Sequence, residues 1–320
     1  MDRAVDSQRQ NDMSKAVTSQ RWIVWRRWVW VLLLAYLAGL PLLTRAEGVE
    51  SQPPILLAAG DIADCGPGAE TTARLLDGQP GLILALGDLA YPNGSDSDFL
   101  RCFVPTWGHF RNRLRAVPGN HEYYTPKAAP YFAILGDAAG PAGQGFYSLD
   151  VHGWHLIALN THLSRDAAGR QLDWLRQDLA ATASTCILAF FHLPPFSSGE
   201  GGTHEDMETI WRVLTRGGVS VVLAGHDHLY ERFSPLDAAG NRDDQHGVRL
   251  FVVGTGGAGL DRRPWWTARH SETLISGHWG VLKMELATDR YRWSFIAVDG
   301  TVADTGEGLC RGRDGRDDRR

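Results

Sequence analysis

Residues 219–224 (VSVVLA) form a short, largely β-branched apolar run that stops at Gly225, and His226, Asp227 and His228 follow at once. Such a run reads as a buried strand, and the glycine lets the backbone turn at its end. Two imidazoles at the exit of a rigid strand are placed to bind metal, since neutral imidazole suits Zn, Fe, Mn and Cu. A pair of ordinary surface histidines accounts for this stretch alone equally well. What decides between the two is that the same arrangement occurs four more times upstream.

Residues 55–59 run into Gly60-Asp61, and residues 82–86 run into Gly87-Asp88. Residues 114–117 open into Pro118-Gly119-Asn120-His121, and the apolar run 186–191 ends at His192. A helix over 69–76 between the first two runs makes one βαβ crossover. In doubly wound sheets, ligands collect at the C-terminal ends of the strands. One Asp after a strand is usually a turn residue or a helix cap. Five strands ending in metal-type side chains are not explained that way. Oxygen and imidazole donors without thiolate point to first-row metals such as Fe, Mn or Zn. The candidates are too many for one ion and suit two ions sharing a carboxylate, a pair that can clamp an in-line displacement at phosphorus.

The remaining periodicity is that of a core. Strands are expected over 145–149, 154–160 and 248–253, and a closing hairpin over 281–286 and 290–298, with Thr288-Asp289 as its turn. In the helix expected over 171–181, Leu172, Leu175 and Leu179 share a face; in that over 206–216, Met207, Ile210, Trp211 and Leu214 do. The glycine-rich turn 254–259 is not a phosphate-binding P-loop, because neither a Lys nor a helical pattern follows it. Residues 92–112 read as loop, and 306–320 as a mobile, mixed-charge tail.

The first 46 residues read as a polar, disordered leader and a secretory signal. Arg21, Arg26 and Arg27 flank the uncharged stretch 28–43, followed by Thr44-Arg45-Ala46. Cleavage after Ala46 is the expectation, and an uncleaved N-terminal anchor is the alternative; either exports the body of the protein, to a periplasm or beyond. Contact with a membrane is expected only through this segment. A formal net charge of -5 argues against a dedicated nucleic-acid binder. Four cysteines without a CxxC pair fit an oxidising compartment. Of their three possible pairings we favour Cys65 with Cys102 and Cys186 with Cys310, the alternative for Cys186 being a buried thiol in its strand.

The motifs GDIAD, GDLAY, GNHE, the strand ending in His192, and GHDHLYER, in that order, resemble those of the calcineurin-like metallophosphoesterases, and among them the purple acid phosphatases. The resemblance covers roughly residues 54–305. It implies an α/β fold, a four-layer αββα sandwich of two mixed sheets, with a dinuclear site at one edge. It implies Asp88 as the bridging ligand, with Asp61, Tyr91 and His228 completing the first site and Asn120, His192 and His226 the second. Most of the wider superfamily carries a His where Ala63 stands, whereas Tyr91, three residues after Asp88, follows the purple pattern. A tyrosinate favours Fe(III), so the implied cofactors are Fe(III) plus Fe, Zn or Mn. The implied chemistry is hydroxide attack on small phosphate monoesters. A phosphodiesterase on the same scaffold, or a binding protein that kept the fold, are the alternatives. His121 is the candidate acid for the leaving group or a transition-state contact, and His204 a second substrate-facing candidate. Glu122 and Glu231 are expected to orient neighbours. His109, His155, His162, His246, His270 and His278 carry no comparable support.

Overall fold

The structure, a computed structural model, describes residues 53–311. The expected leader, signal and cleavage point, and residues 312–320 of the expected tail, lie outside the described residues. Among the described residues no helix is long and apolar enough to cross a membrane.

The chain begins with β1 (Ile55–Ala59), α1 (Pro67–Asp77), β2 (Leu82–Leu86) and β3 (Leu114–Val117). Short helical turns fill the stretch from Asp96 to Arg113 that reads as loop in the sequence. After β3 come α2 (Asn120–Tyr124), α3 (Ala129–Leu135), β4 (Tyr147–Val151), β5 (Trp154–Ala158), α4 (Arg165–Ala181) and β6 (Cys186–Phe190). The second half holds α5 (Glu208–Arg216), β7 (Val221–Ala224), β8 (Tyr230–Phe233), β9 (Arg249–Val253) and β10 (Ser271–Ile275). It closes with β11 (Gly280–Leu286), β12 (Arg290–Ala297) and β13 (Val302–Leu309).

These strands form two mixed sheets, in the orders β13-β12-β11-β1-β2-β3 and β10-β8-β9-β7-β6-β5-β4. The parallel cores are β1-β2-β3 in one and β5-β6-β7-β9 in the other. Strands buried on both faces read as continuous apolar runs, which is why they are visible in sequence. Alternation still sorts their side chains. In β6, Cys186, Leu188 and Phe190 join the large cluster shared with the first sheet. Ile187 and Ala189 face the other way, into the cluster with Leu175 and Leu179 of α4 and Trp211 and Leu214 of α5. With Ala69, Ala73 and Leu76 of α1 buried on the first sheet, helices cover the outer faces of both sheets.

Both expected disulfides are present, Cys65–Cys102 and Cys186–Cys310. The second corrects the reading of the tail. Residues 306–309 continue β13, the edge strand paired with β12. Beyond it the Arg311 amide donates to Ser220 Oγ at 3.0 Å, and its guanidinium donates to the Thr215 carbonyl at 2.9 Å. The expected two-stranded hairpin is therefore a three-stranded meander. An edge strand whose middle, residues 304–308, is Asp, Thr, Gly, Glu and Gly carries little hydrophobic signal.

Candidate metal centre

The β1 and β2 exits run side by side. The Asp61 amide donates to the Gly87 carbonyl at 3.0 Å, Ile62 to Asp88 at 2.9 Å, and Tyr91 to Ala63 at 2.9 Å. Parallel pairing thus continues past the strands and sets the two carboxylates next to each other. Asp61, Asp88 and His226 each take a positive φ, of 60°, 51° and 76°. Non-glycine residues rarely do so, at a cost of order 1–3 kcal/mol each, and such strain concentrates at functional sites. Gly119 shows how tightly the site is walled: a Cβ there would lie 2.1 Å from Asp88 Oδ1.

Each carboxylate has one oxygen tied to a backbone amide. Asp61 Oδ2 accepts the His226 amide at 2.8 Å, and Asp88 Oδ1 accepts the His121 amide at 2.9 Å. The other oxygens face two clusters. In the first, the Tyr91 hydroxyl lies 3.0 Å from Asp61 Oδ1, 3.1 Å from His228 Nε2 and 3.3 Å from Asp88 Oδ2. In the second, His192 Nε2 lies 3.1 Å from Asn120 Oδ1, 3.2 Å from Asp88 Oδ2 and 3.3 Å from His226 Nδ1. Donor atoms of Asp88, His192 and His226 all fall within 4.8 Å of one another. The seven residues expected as ligands are therefore brought together, in the two groups that the resemblance implies.

The imidazoles are oriented from behind. His192 Nδ1 is 2.8 Å from the Leu86 carbonyl, and His228 Nδ1 is hydrogen-bonded to the Gly259 carbonyl. Each Nδ1 donates its proton outward and leaves Nε2 aimed into the cluster, the usual arrangement behind metal-bound histidines.

The electrostatics call for positive charge. Burial opposes ionisation of Asp88, yet His192 and His121 hold its carboxyl well below the ordinary range. Burial pushes His192 down, but Asp88 overrides it and raises it to about 9. For His228 burial is likewise overridden, chiefly by Asp61, and the pKa rises to about 10. His226 goes the other way, down to about 4, through burial and its neighbour His192. Burial and the Asp61 and Asp88 carboxylates push the Tyr91 phenol well above its usual value. Only a cation could draw a phenolate from that setting. Two convergent groups of hard oxygen and imidazole donors around shared anions fit a pair of first-row metal ions.

Around these donors lie further imidazoles. His121 packs on Tyr91 with ring centroids 4.2 Å apart. Its Nδ1 is held by the Pro92 carbonyl at 2.5 Å, and its Nε2 is 3.8 Å from Asp88 Oδ2. His204 sits 5.0 Å from the His226 ring, and its Nε2 is buried without a partner. Sequence reasoning passed over His162, and the structure corrects this: its ring centroid is 5.7 Å from that of His192. Burial and His192 press its pKa down to about 3. The available signal was that β5 ends beside β6, whose exit carries His192. Buried Asn160, bonded reciprocally with Gln171 at 2.8 and 3.1 Å, accepts the His162 amide at 3.0 Å and fixes that turn.

Glu122 and Glu231 both orient neighbours. Glu122 gathers amides from the β2 exit. Glu231 accepts the Ser198 amide at 2.8 Å and its hydroxyl at 2.5 Å, pinning the loop that carries His204.

Known proteins resemble this chain in sequence and in fold. The sequence profile of the calcineurin-like phosphoesterases matches residues 36–230, more than half the chain. Purple acid phosphatase 18 of Arabidopsis thaliana is 27% identical over 266 residues, 74% of this chain and 59% of that relative. The chain thus spans about three fifths of that protein's length. Among solved structures, purple acid phosphatase PPD1 from yellow lupin (Lupinus luteus) superposes with a TM-score of 0.64 at 17% identity, over 81% of this chain and 54% of that one. GAP50, described as the anchor in the inner membrane complex of Plasmodium, gives 0.65 at 14% identity, over 81% and 89%. Both structural likenesses are likenesses of fold.

Proposed function

This chain belongs to the calcineurin-like phosphoesterase family, and from that premise we propose that it is a metal-dependent phosphatase acting on small phosphate monoesters through two metal ions. The observation that carries the reading is Asp88 Oδ2. It lies 3.3 Å from the Tyr91 hydroxyl and 3.2 Å from His192 Nε2, so one carboxylate oxygen belongs to both donor groups. Asp61, Tyr91 and His228 would hold one ion with it, and Asn120, His192 and His226 the other. The Tyr91 oxygen suits Fe(III) in the first position, with Fe, Zn or Mn in the second. When bound, such a pair lowers the pKa of water and offsets charge on phosphoryl oxygens.

The surrounding residues supply the rest. His121, its Nδ1 fixed by Pro92, presents Nε2 as the proton donor to the leaving oxygen. His204 offers an unpartnered Nε2 to a phosphoryl oxygen. The complete donor set speaks against a binding protein that merely kept the fold. Export to an oxidising compartment belongs to the same proposal and is supported by the pairing of all four cysteines.

The test is the visible spectrum of protein purified from an iron-replete host, with metal analysis and turnover on aryl monoesters and bis-esters. The expectation is a broad purple or pink band lost in Tyr91→Phe, two metals per chain, and faster turnover of the monoester. Colourless protein with two other metals would remove iron from the proposal. Preference for the bis-ester would make the protein a diesterase. Protein that neither contains nor takes up metal would overturn the reading.

A further inference from the structure

The largest departure from ordinary burial lies on one loop beside this centre. Trp265 is 95% exposed and Trp266 41% exposed. Arg262, Arg263 and Arg269 flank them, all exposed. Among the described residues no ion pair involves any of the three, so the loop carries three exposed positive charges. A tryptophan side chain offers some 150–250 Å² of surface to bury. Two in water, among exposed guanidiniums, form a cationic aromatic patch that no contact among the described residues covers.

The loop is anchored at both feet to the centre's rim. At its start, Asp261 Oδ2 accepts the amide of His228 at 3.0 Å, and the Asp261 amide donates to the His228 carbonyl at 3.1 Å. The same carboxylate accepts the amide of Glu200. At its end, the Ala268 amide donates to Ser198 Oγ at 2.7 Å, and Ser198 is itself clamped by buried Glu231. One foot thus rests on a ligand candidate and both rest on the 197–204 loop that brings His204 to His226. Trp265 is four residues beyond Asp261, within about 14 Å of chain. The chain length therefore keeps the patch at the rim of the centre.

We propose that Trp265 and Trp266 form a ring-binding subsite for the leaving group of aromatic phosphate esters, aryl phosphates or nucleotides, while the phosphoryl group lies at the metal centre. The proposal rests on the phosphoesterase reading. Indole faces stack on any aromatic ring, and the exposed arginines favour a ligand that is also anionic. An aliphatic phosphate ester engages the centre without the subsite.

Calorimetric titration of the metal-loaded protein with phenylphosphonate and methylphosphonate tests this without turnover, since the P–C bond resists hydrolysis. The subsite predicts that phenylphosphonate binds the more tightly. The double variant Trp265→Ala/Trp266→Ala should lose about 5- to 150-fold of phenylphosphonate affinity, the range of base stacking on aromatics. Methylphosphonate should bind it unchanged. Both side chains are exposed, so the variant keeps its fold. Equal affinity of the two phosphonates, or equal weakening of both in the variant, overturns the subsite alone. Failure of methylphosphonate to bind the wild type overturns the phosphoesterase reading, and the subsite with it. If tryptophan-dependent binding appears only towards phosphatidylserine vesicles, the patch docks a membrane and the subsite is wrong.

Discussion

The wholly buried Glu122 carboxylate accepts the backbone amide of Asp88 at 3.0 Å. It also accepts the amides of Leu89 at 2.9 Å, Ala90 at 3.3 Å and Gly119 at 2.7 Å. One side chain thereby fixes the exits of two neighbouring strands. It holds Asp88 in its left-handed backbone conformation, with Gly119 packed against its carboxylate. Burial and the Asp88 charge push the Glu122 pKa up to about 7, against the amides that favour its ionised form. Glu122 offers no donor atom to either cluster and bonds only the backbone amide of the ligand candidate Asp88, so its effect passes through that residue.

Glu122→Gln is expected to weaken metal binding by about 10- to 100-fold, the range for partners that orient ligands. The amide NH₂ would face backbone N–H groups that now meet a carboxylate oxygen, leaving them unpaired. Competition with a chelator measures this. Unchanged affinity would show that the β2 exit is held by other means.

Asn120→Ala removes a side chain from the second donor group and leaves the first intact. One metal per chain in place of two is the expected analysis, with hydrolysis down by at least about 100-fold and thermal midpoint retained. Full activity with two bound metals would mean that the second group is drawn wrongly.

His121→Ala should act according to the leaving group. A general acid matters most when the departing alkoxide is basic, and such groups contribute about 10²- to 10⁴-fold. Turnover of an alkyl phosphate should therefore fall much further than that of p-nitrophenyl phosphate. Equal losses on both would assign His121 to phosphoryl contact instead of proton transfer.

The strands that carry the centre were legible because buried parallel strands are unbroken apolar runs, each ending in a glycine turn or directly in a ligand-type residue. Asp61, Asp88, Asn120, His192, His226 and His228 could be placed from that rule alone. Tyr91 could not, since a loop aromatic three residues after Asp88 is unremarkable without the family pattern. His162 was missed because its position depends on a buried Asn160–Gln171 pair that no local motif announces. The edge strands β10 and β13 were missed for the opposite reason to the core's visibility: half-exposed and polar, they carry almost no hydrophobic period. The exposure of Trp265 is a tertiary property, and in sequence that residue reads as one more tryptophan among 12.

His155, far from the centre in role, sets a pH dependence of stability. Its Nδ1 lies 2.7 Å from Asp150 Oδ1 and its Nε2 2.8 Å from Asp178 Oδ2. Both ring nitrogens face carboxylates, so both carry protons in the favoured state. Burial opposes that charge, but the bonds to Asp178 and Asp150 prevail and the pKa is raised above 6.5. A raised folded pKa means that the contribution is fully present below the unfolded value near 6.5. It is lost as pH rises through the folded value. Across that window the folded state binds up to one more proton than the unfolded state, a slope of at most about 1.4 kcal/mol per pH unit. Denaturant titrations of metal-loaded wild type and His155→Gln between pH 5 and 9 would measure it, with metals holding the histidines of the centre in one state. The wild type should lose its advantage over the variant as pH rises above about 6.5. A stability difference that stays flat with pH would show that His155 is already neutral in the folded protein.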